Sequence, residues 1–413
     1  TLMRSSAASD VYKRQNDVPR ATFTPDELCR LVIEFYKRNY IEGLFLSSGV
    51  LKNPSYTMER ICETLMLLRT KYRFNGYIHV KAIPGAPDEL LSRAGYLADR
   101  VSINLELPTA QSLSKLAPNK SFKTILEPME KITGTIAANR LALGKDARME
   151  RSSINRYLTG SIFNQNGTDN GQAAVSGTQR TALESGDKLS LPAVSKDMCV
   201  KRPFAPAGQS TQMIIGATPE TDLTLIRTTQ HLYKNYDLKR VFYSAYIPLN
   251  EDSALPQLDA DVPLLREHRL YQADWLLRFY GFQADELLSE SRPNFNEQLD
   301  PKCDWAIRHL GQFPVEVQNA SYDMLLRIPG IGPKSARRIV ETRRYAKLDF
   351  DILKKIGVVL KRAHYFITCN GRMMYRIPIE ESYITSCLTD DNHKENWEIT
   401  HQNEKYHQLS LFE

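Results

Sequence analysis

The sequence predicts an α/β chain, with parallel strands and helices in alternation, followed by a separate helical module. Three observations predict it. Strand-like and helix-like segments alternate from Thr24 to about residue 248, the pattern that joins parallel strands by right-handed crossovers. Polar residues gather toward the C-terminal ends of three of those strands, the end at which βα barrels carry their sites. Positive charge is concentrated late in the chain. Residues 322–376 hold 13 Lys and Arg against 4 Asp and Glu, a net of +9, so the rest of the +6 chain carries 6 − 9 = −3. That distribution points to a polyanion-binding module on a near-neutral body.

Taken in order, Thr24 caps the first helix, with Pro25 at its first position and Glu27 closing a capping box. Leu28, Leu31, Val32 and Phe35 follow at helical spacing. GLFLSSGV is a short apolar strand ending in small polar residues, and a second helix covers about residues 56–72. GYIHVKAIPG is the next strand, a short helix starts at Pro87, RVSINLELPT is the third strand, and a helix covers residues 122–143. Residues 150–209, rich in Gly, Ser, Thr, Asn and Gln and without periodicity, read as a long loop. QMIIGAT, a helix over residues 220–236 and RVFYSAYIPL resume the alternation. From Asp261 the pattern is helical until FITCNGR and MMYRIPI, which are expected to form a short hairpin. The five strands fit a doubly wound sheet or a full or partial barrel.

The strand faces locate a candidate site. A parallel strand buried on both sides is apolar throughout. In VSINLEL, however, Val101, Ile103, Leu105 and Leu107 alternate with Ser102, Asn104 and Glu106. In YIHVKA, His79 and Lys81 share a face, and GLFLSSG ends in Ser47, Ser48 and Gly49. These polar groups mark a lumen side.

The most specific local signal is LLRIPGIGPKSARRIV, residues 325–340. A short helix ends near Arg327, a tight PGIG turn follows, and a new helix starts with Pro333 at its first position. Gly330 and Gly332 permit positive φ and leave the backbone uncovered, so that amides of the turn and of the new helix form an anion cradle. Lys334, Ser335, Arg337 and Arg338 flank that cradle with Ile331 at its centre, and Leu325, Leu326, Ala336, Ile339 and Val340 pack the helices together. This resembles the helix-hairpin-helix motif, which grips a DNA phosphate without reading sequence. FDILKKIGVVLKRAHYF looks like a degenerate second copy, with Ile356 and Gly357 in the turn and Lys354, Lys355, Lys361 and Arg362 around it. The partner implied is DNA, bound through its phosphate backbone with steep salt dependence.

Other features narrow the classes. No apolar run approaches the roughly 20 residues of a membrane span, and the N-terminus has no apolar core of a signal peptide. Cys29, Cys62, Cys199, Cys303, Cys369 and Cys387 are scattered without a CxxC pair. That excludes a dense disulfide framework and fits a reducing cytoplasm. Cys29 and Cys62 are expected to be ordinary buried thiols, and Cys199 falls in the long loop.

From Asn16 onward the sequence resembles the family described as putative DNA modification/repair radical SAM proteins. The resemblance rests on NDVPRATFTPDEL, IEGLFLSSGV, HVKAIPGA, RVSINLELPT, QMIIGAT, FYSAYIPL, REHRLYQADWLLRFYGF and the two hairpins, in that order along nearly the whole chain. It implies a partial parallel βα barrel of radical SAM type, here with its first strand missing, followed by a helical helix-hairpin-helix domain. It further implies a [4Fe-4S] cluster and S-adenosylmethionine, and a deoxyadenosyl radical acting in DNA modification or repair. By position, Ser47, Ser48 and Gly49 match the turn that meets the methionyl amino group, although the usual Gly-Gly-Glu is absent. Asn104 and Glu106 match the polar pair near the ribose, and Gly216 matches the glycine that lets adenine approach. His79 and Lys81 join them as candidate cofactor-binding residues, while Tyr246 and Pro248 border the substrate. The family's CxxxCxxC has no counterpart here. Metal ligands are therefore none in this chain, which on this reading is truncated and inactive as it stands.

The division expected is 16–255 for the barrel with its 150–209 loop, 256–320 for a helical connector, 321–376 for the tandem hairpins and 377–413 for a tail. Residues 1–15 are read as a sequencing-adapter artefact, because DVYKRQ translates a transposon end in frame. Two other classes compete. A non-catalytic DNA-binding protein would use the same hairpins. A base-excision glycosylase would use an Asp shortly after the hairpin, with Asp349 and Asp351 available, but would be all helical upstream.

Overall fold

The computed structural model describes residues 22–118, 120–142, 202–248, 255–257 and 259–400, without the side chains of 391–400. The expectations for residues 1–15, for Cys199 and for most of the long loop lie outside these residues. Helix α1 (Pro25–Lys37) begins as predicted, with Thr24 and Glu27 in a reciprocal capping box. It buries Cys29, Val32 and Ile33, whereas Leu31 and Phe35 of the predicted stripe stay largely exposed. β1 (Gly43–Leu46), α2 (Pro54–Thr70), β2 (Tyr77–Lys81), α3 (Asp88–Leu97), β3 (Arg100–Ser102), α4 (Ala110–Leu116) and α5 (Phe122–Ala142) follow. β4 (Gln209–Ile215), α6 (Asp222–Tyr236) and β5 (Arg240–Ala245) complete the sheet. Its strands are all parallel, ordered β1-β2-β3-β4-β5, and curl into a half-barrel.

The pairing register explains the two faces. Phe45 lies beside His79 and His79 beside Arg100. One row on, Lys81 lies beside Ser102, Ser102 beside Ser210, and Ser210 beside Arg240. Polar side chains therefore line one face. The alternate positions, including Ile78, Val80, Val101, Met213 and Val241, join the apolar core with the helices, as the period of two requires.

RVSINLELPT departs from the expected strand. The ladder stops at Ser102 because the Thr211 hydroxyl enters it, donating to Ile103 O at 2.8 Å and accepting from Leu105 N at 2.9 Å. The chain rejoins β4 opposite Met213 at Glu106, whose φ is +68°. All residues from Val101 to Leu107 are consequently buried, so the predicted apolar/polar alternation does not divide them between core and open surface.

An exposed strand edge needs covering, and α7 (Leu264–Phe279) covers that of β5. Tyr271 Oη donates to Tyr243 O and accepts from Tyr243 N, and Glu267 accepts from Ala245 N at 2.6 Å. Elsewhere, the chain re-enters the described fold at Arg202, and Phe204 packs on Gly95 and against Tyr96. The N–H of Phe204 donates to Asn139 Oδ1 at 3.1 Å, and Ala205 N–H to Gly95 O at 2.8 Å. Residues 202–208, the end of the predicted loop, are thus built into the sheet's outer wall.

The C-terminal part is α8 (Ala284–Leu287), α9 (Pro301–Arg308), β6 (Val315–Glu316), α10 (Tyr322–Arg327), α11 (Pro333–Thr342), α12 (Phe350–Lys355), α13 (Leu360–Ala363), β7 (Ile367–Thr368) and α14 (Glu381–Thr400). The hairpin expected from FITCNGR and MMYRIPI is corrected. β7 pairs in parallel with β6, which the sequence pattern did not reveal, and MMYRIPI forms no strand. Glu316 holds this junction, accepting from Asn370 N, Gly371 N and the Thr368 hydroxyl.

Candidate nucleic-acid interface

Helices α10 and α11 form the first hairpin and α12 and α13 the second. Ser321 caps α10, and Leu325, Leu326, Ala336 and Ile339 are fully buried between the helices. Gly330 has φ +83°, the left-handed conformation that glycine adopts freely. Its α-carbon is not uncovered, however. A side chain there would overlap Val359 O and crowd Ala363, and Val359 N–H donates to Gly330 O at 2.9 Å. Gly332 is corrected too: its φ is −100°, an extended N-cap rather than a positive-φ position.

The second hairpin answers the first. Gly357, at φ +93°, faces Ser335 and Arg338 of α11. The Ser335 hydroxyl donates to Gly357 O at 2.8 Å, and Arg338 Nη1 donates to Ile356 O at 3.0 Å. Each glycine turn thus rests on the other hairpin's second helix. The sequence pointed to Ser335 and Arg338 as phosphate contacts; the structure engages both in joining the hairpins. Ile331 is buried. Arg337 sits near Glu341 at 3.8 Å, and Arg362 donates to Asp300 at 2.9 Å. Lys334, Lys354, Lys355 and Lys361 are exposed. In α11 the first-turn amides of Lys334 and Ser335 are the ones a helix leaves without an intrahelical acceptor, Pro333 having none. Lys334 therefore flanks a helix start, where anions are favoured.

Residues 315–342 match the helix-hairpin-helix motif. No curated protein and no solved structure matches the chain. Helices α12 and α13, with the Gly357 turn, lie beyond the matched residues.

The turn is buttressed from α9. Lys302, at the second position of that helix, is enclosed and donates to Ile331 O at 2.6 Å, with its Nζ 4.7 Å over the Tyr280 ring. Burial drives its pKa down to about 7, against the pull of Asp300. No sequence pattern identified Lys302. Only its place after the Asp300 cap and Pro301 marks it as a first-turn residue, where a cation is out of keeping with the helix dipole.

At the sheet's C-terminal edge, Glu106 is fully buried, with Lys120 Nζ at 3.0 Å and Lys81 Nζ at 3.6 Å from Oε1. Glu106 Oε2 and the Ser47 hydroxyl are buried without a hydrogen-bond partner. Ser48 donates to Gly49 O, and the space beside Gly49 is open. Asn104 donates to Gln212 at 3.2 Å. His79 packs edge-on to Phe45 with Ser210 at 3.5 Å, and burial, then Arg100, pushes its pKa down to about 3. Gly216, at φ +86°, has the space beside its α-carbon occupied by Pro263 Cγ, 2.6 Å from a would-be Cβ. That glycine admits the start of α7 rather than a ligand. The structure therefore joins Lys81, Lys120 and Glu106 in one charged cluster, while Asn104 bonds Gln212.

Cys29 and Cys62 are buried, and burial raises each thiol to about 11. Among the described residues no group of three or more His, Cys, Asp or Glu is placed to hold a metal, and no helix is long and apolar enough to cross a membrane. Asp349 accepts from Ile352 N at 2.7 Å as the cap of α12. The parallel sheet upstream is not the all-helical frame of a glycosylase.

Proposed function

We propose that this chain binds DNA through its paired hairpins, holding backbone phosphate without reading bases. The observation that carries the reading is the reciprocal seating of Gly330 and Gly357, which fixes two hairpins as one unit with exposed lysines beside the α11 start. Phosphate contacts release counterions, so affinity should fall steeply with salt. Anisotropy titrations of two unrelated labelled duplexes across a salt series test it. Equal affinities with a steep common slope support the reading; no binding at low salt ends it.

A second reading gives the half-barrel the radical SAM role that the sequence resemblance implies, acting in DNA modification or repair. What supports it is the buried Glu106 carboxylate with an unpartnered oxygen and the buried Ser47 hydroxyl at the same sheet edge, a polar pair suited to ribose and amino groups. When bound, S-adenosylmethionine would supply the radical precursor, with Glu106 and Asn104 positioning its ribose. The iron-sulfur cluster does not fit the residues present, because the sequence has no CxxxCxxC. Equilibrium dialysis of labelled S-adenosylmethionine, with wild type and Glu106→Gln, tests the cofactor half. Absence of binding by wild type leaves the non-catalytic DNA-binding reading.

A further inference from the structure

A cleft of about 760 Å³ opens between α7 and the two hairpin turns, within the size range of small-ligand pockets. Its lining includes Trp275 from α7 together with Gly330, Gly357 and Arg362 from the hairpins. Trp275 is 50% exposed, whereas Trp305 is 2% exposed in the core. The indole is flanked by its own helix: Phe279 packs against it at 4.3 Å between ring centres, and the Arg278 guanidinium lies 5.7 Å from its ring. In the same lining the Tyr280 hydroxyl lies beside Gly332, 3.3 Å from where a Cβ would stand. Arg240, on the cleft wall, has a buried Nε with no hydrogen-bond partner. The acidic groups at the cleft are already engaged, Asp274 by Arg278 and Tyr233, and Asp300 by Arg362.

We propose that this cleft receives one unpaired nucleobase of the DNA held by the hairpins, stacked on Trp275. The proposal rests on the DNA-binding reading and adds a preference for bulged or frayed sites. A fixed aromatic face accepts any base, since every base has a π-face. The Arg240 side chain on the cleft wall supplies positive charge suited to an adjoining phosphate. Continuity with both glycine turns makes a nucleotide of the same DNA the occupant, rather than a peptide or a free metabolite.

The test compares a fully paired duplex with the same duplex carrying a one-base bulge, using the full chain. Wild type should bind the bulged duplex more tightly by about tenfold, from the stacking of one base. Trp275→Ala should abolish that difference while leaving paired-duplex affinity unchanged, and Trp275→Phe should keep most of it. Bulged DNA should also quench tryptophan emission in wild type but not in Trp275→Phe. Equal affinity of wild type for the two duplexes overturns the cleft proposal and leaves the hairpin reading standing, as does an equal loss on both in Trp275→Ala. Failure of wild type to bind either duplex overturns both.

Discussion

The amine of Lys302 ends on the carbonyl oxygen of Ile331, 2.6 Å away. A buried cation at the start of α9 is thereby fastened to the glycine turn of the first hairpin. The contact links the connector helices to the paired hairpins, and it carries a pH signature. Burial lowers the Lys302 pKa from 10.5 to about 7. Below about pH 7 the amine is protonated in both folded and unfolded chains, and the cost of burying its charge is fully present. Between about 7 and 10.5 the unfolded chain keeps a proton that the folded chain has released, so stability rises with pH through this window. Urea midpoints should climb across it in wild type, and the climb should be smaller in Lys302→Met.

The two glycines of the first turn should respond differently. Gly330→Ala places a residue at φ +83° and drives its Cβ into Val359 O. The conformation costs about 1–2 kcal/mol and the overlap about 1–3 more. Gly332→Ala meets only the end of Tyr280 at an ordinary φ and should cost under about 1 kcal/mol. Thermal unfolding orders the two variants, and DNA affinity should fall on all sequences alike for Gly330→Ala.

Exposed and engaged basic residues should separate in salt titrations. Lys334→Ala and Lys354→Ala should each reduce the salt slope of binding by up to about 0.9 if the lysine meets a phosphate. Ser335→Ala and Arg338→Ala instead remove hairpin-to-hairpin hydrogen bonds. Their main effect should be a lower melting temperature, with the salt slope retained.

At the sheet edge, Glu106→Ala removes the carboxylate 3.6 Å from the buried Lys81 amine. Breaking such a pair costs about 3–5 kcal/mol, whereas Lys81→Met with Glu106→Leu should recover most of that loss. Chemical denaturation of the two variants checks it, and an undisturbed Glu106→Ala would mean that the cluster contributes little.

Much of this was readable from sequence because local chemistry fixed it. Thr24, Pro25 and Glu27 specify a helix start wherever they stand, and all five strands of the sheet fall within the strand-like segments that alternate with helices in the sequence. The first hairpin was legible in the PGIG turn. What escaped depended on partners distant in sequence. Thr211 breaks the third strand from 108 residues beyond Ile103. Gly330 is required by Val359, not by openness to DNA. Ser335 and Arg338 look like phosphate ligands until the second hairpin is placed against them. Lys302 and Trp275 have no motif, and their roles exist only once α9 and α7 meet the turns.

The bond from Phe204 N–H to Asn139 Oδ1 has a practical meaning. It brings the departure and return of residues 143–201 to a single seam on the sheet's outer wall, next to Gly95. The entropy of closing a chain across that seam grows slowly, by about 0.6 kcal/mol per doubling of length. The seam is then a port where a reporter domain can be grafted without disturbing either the half-barrel or the hairpins.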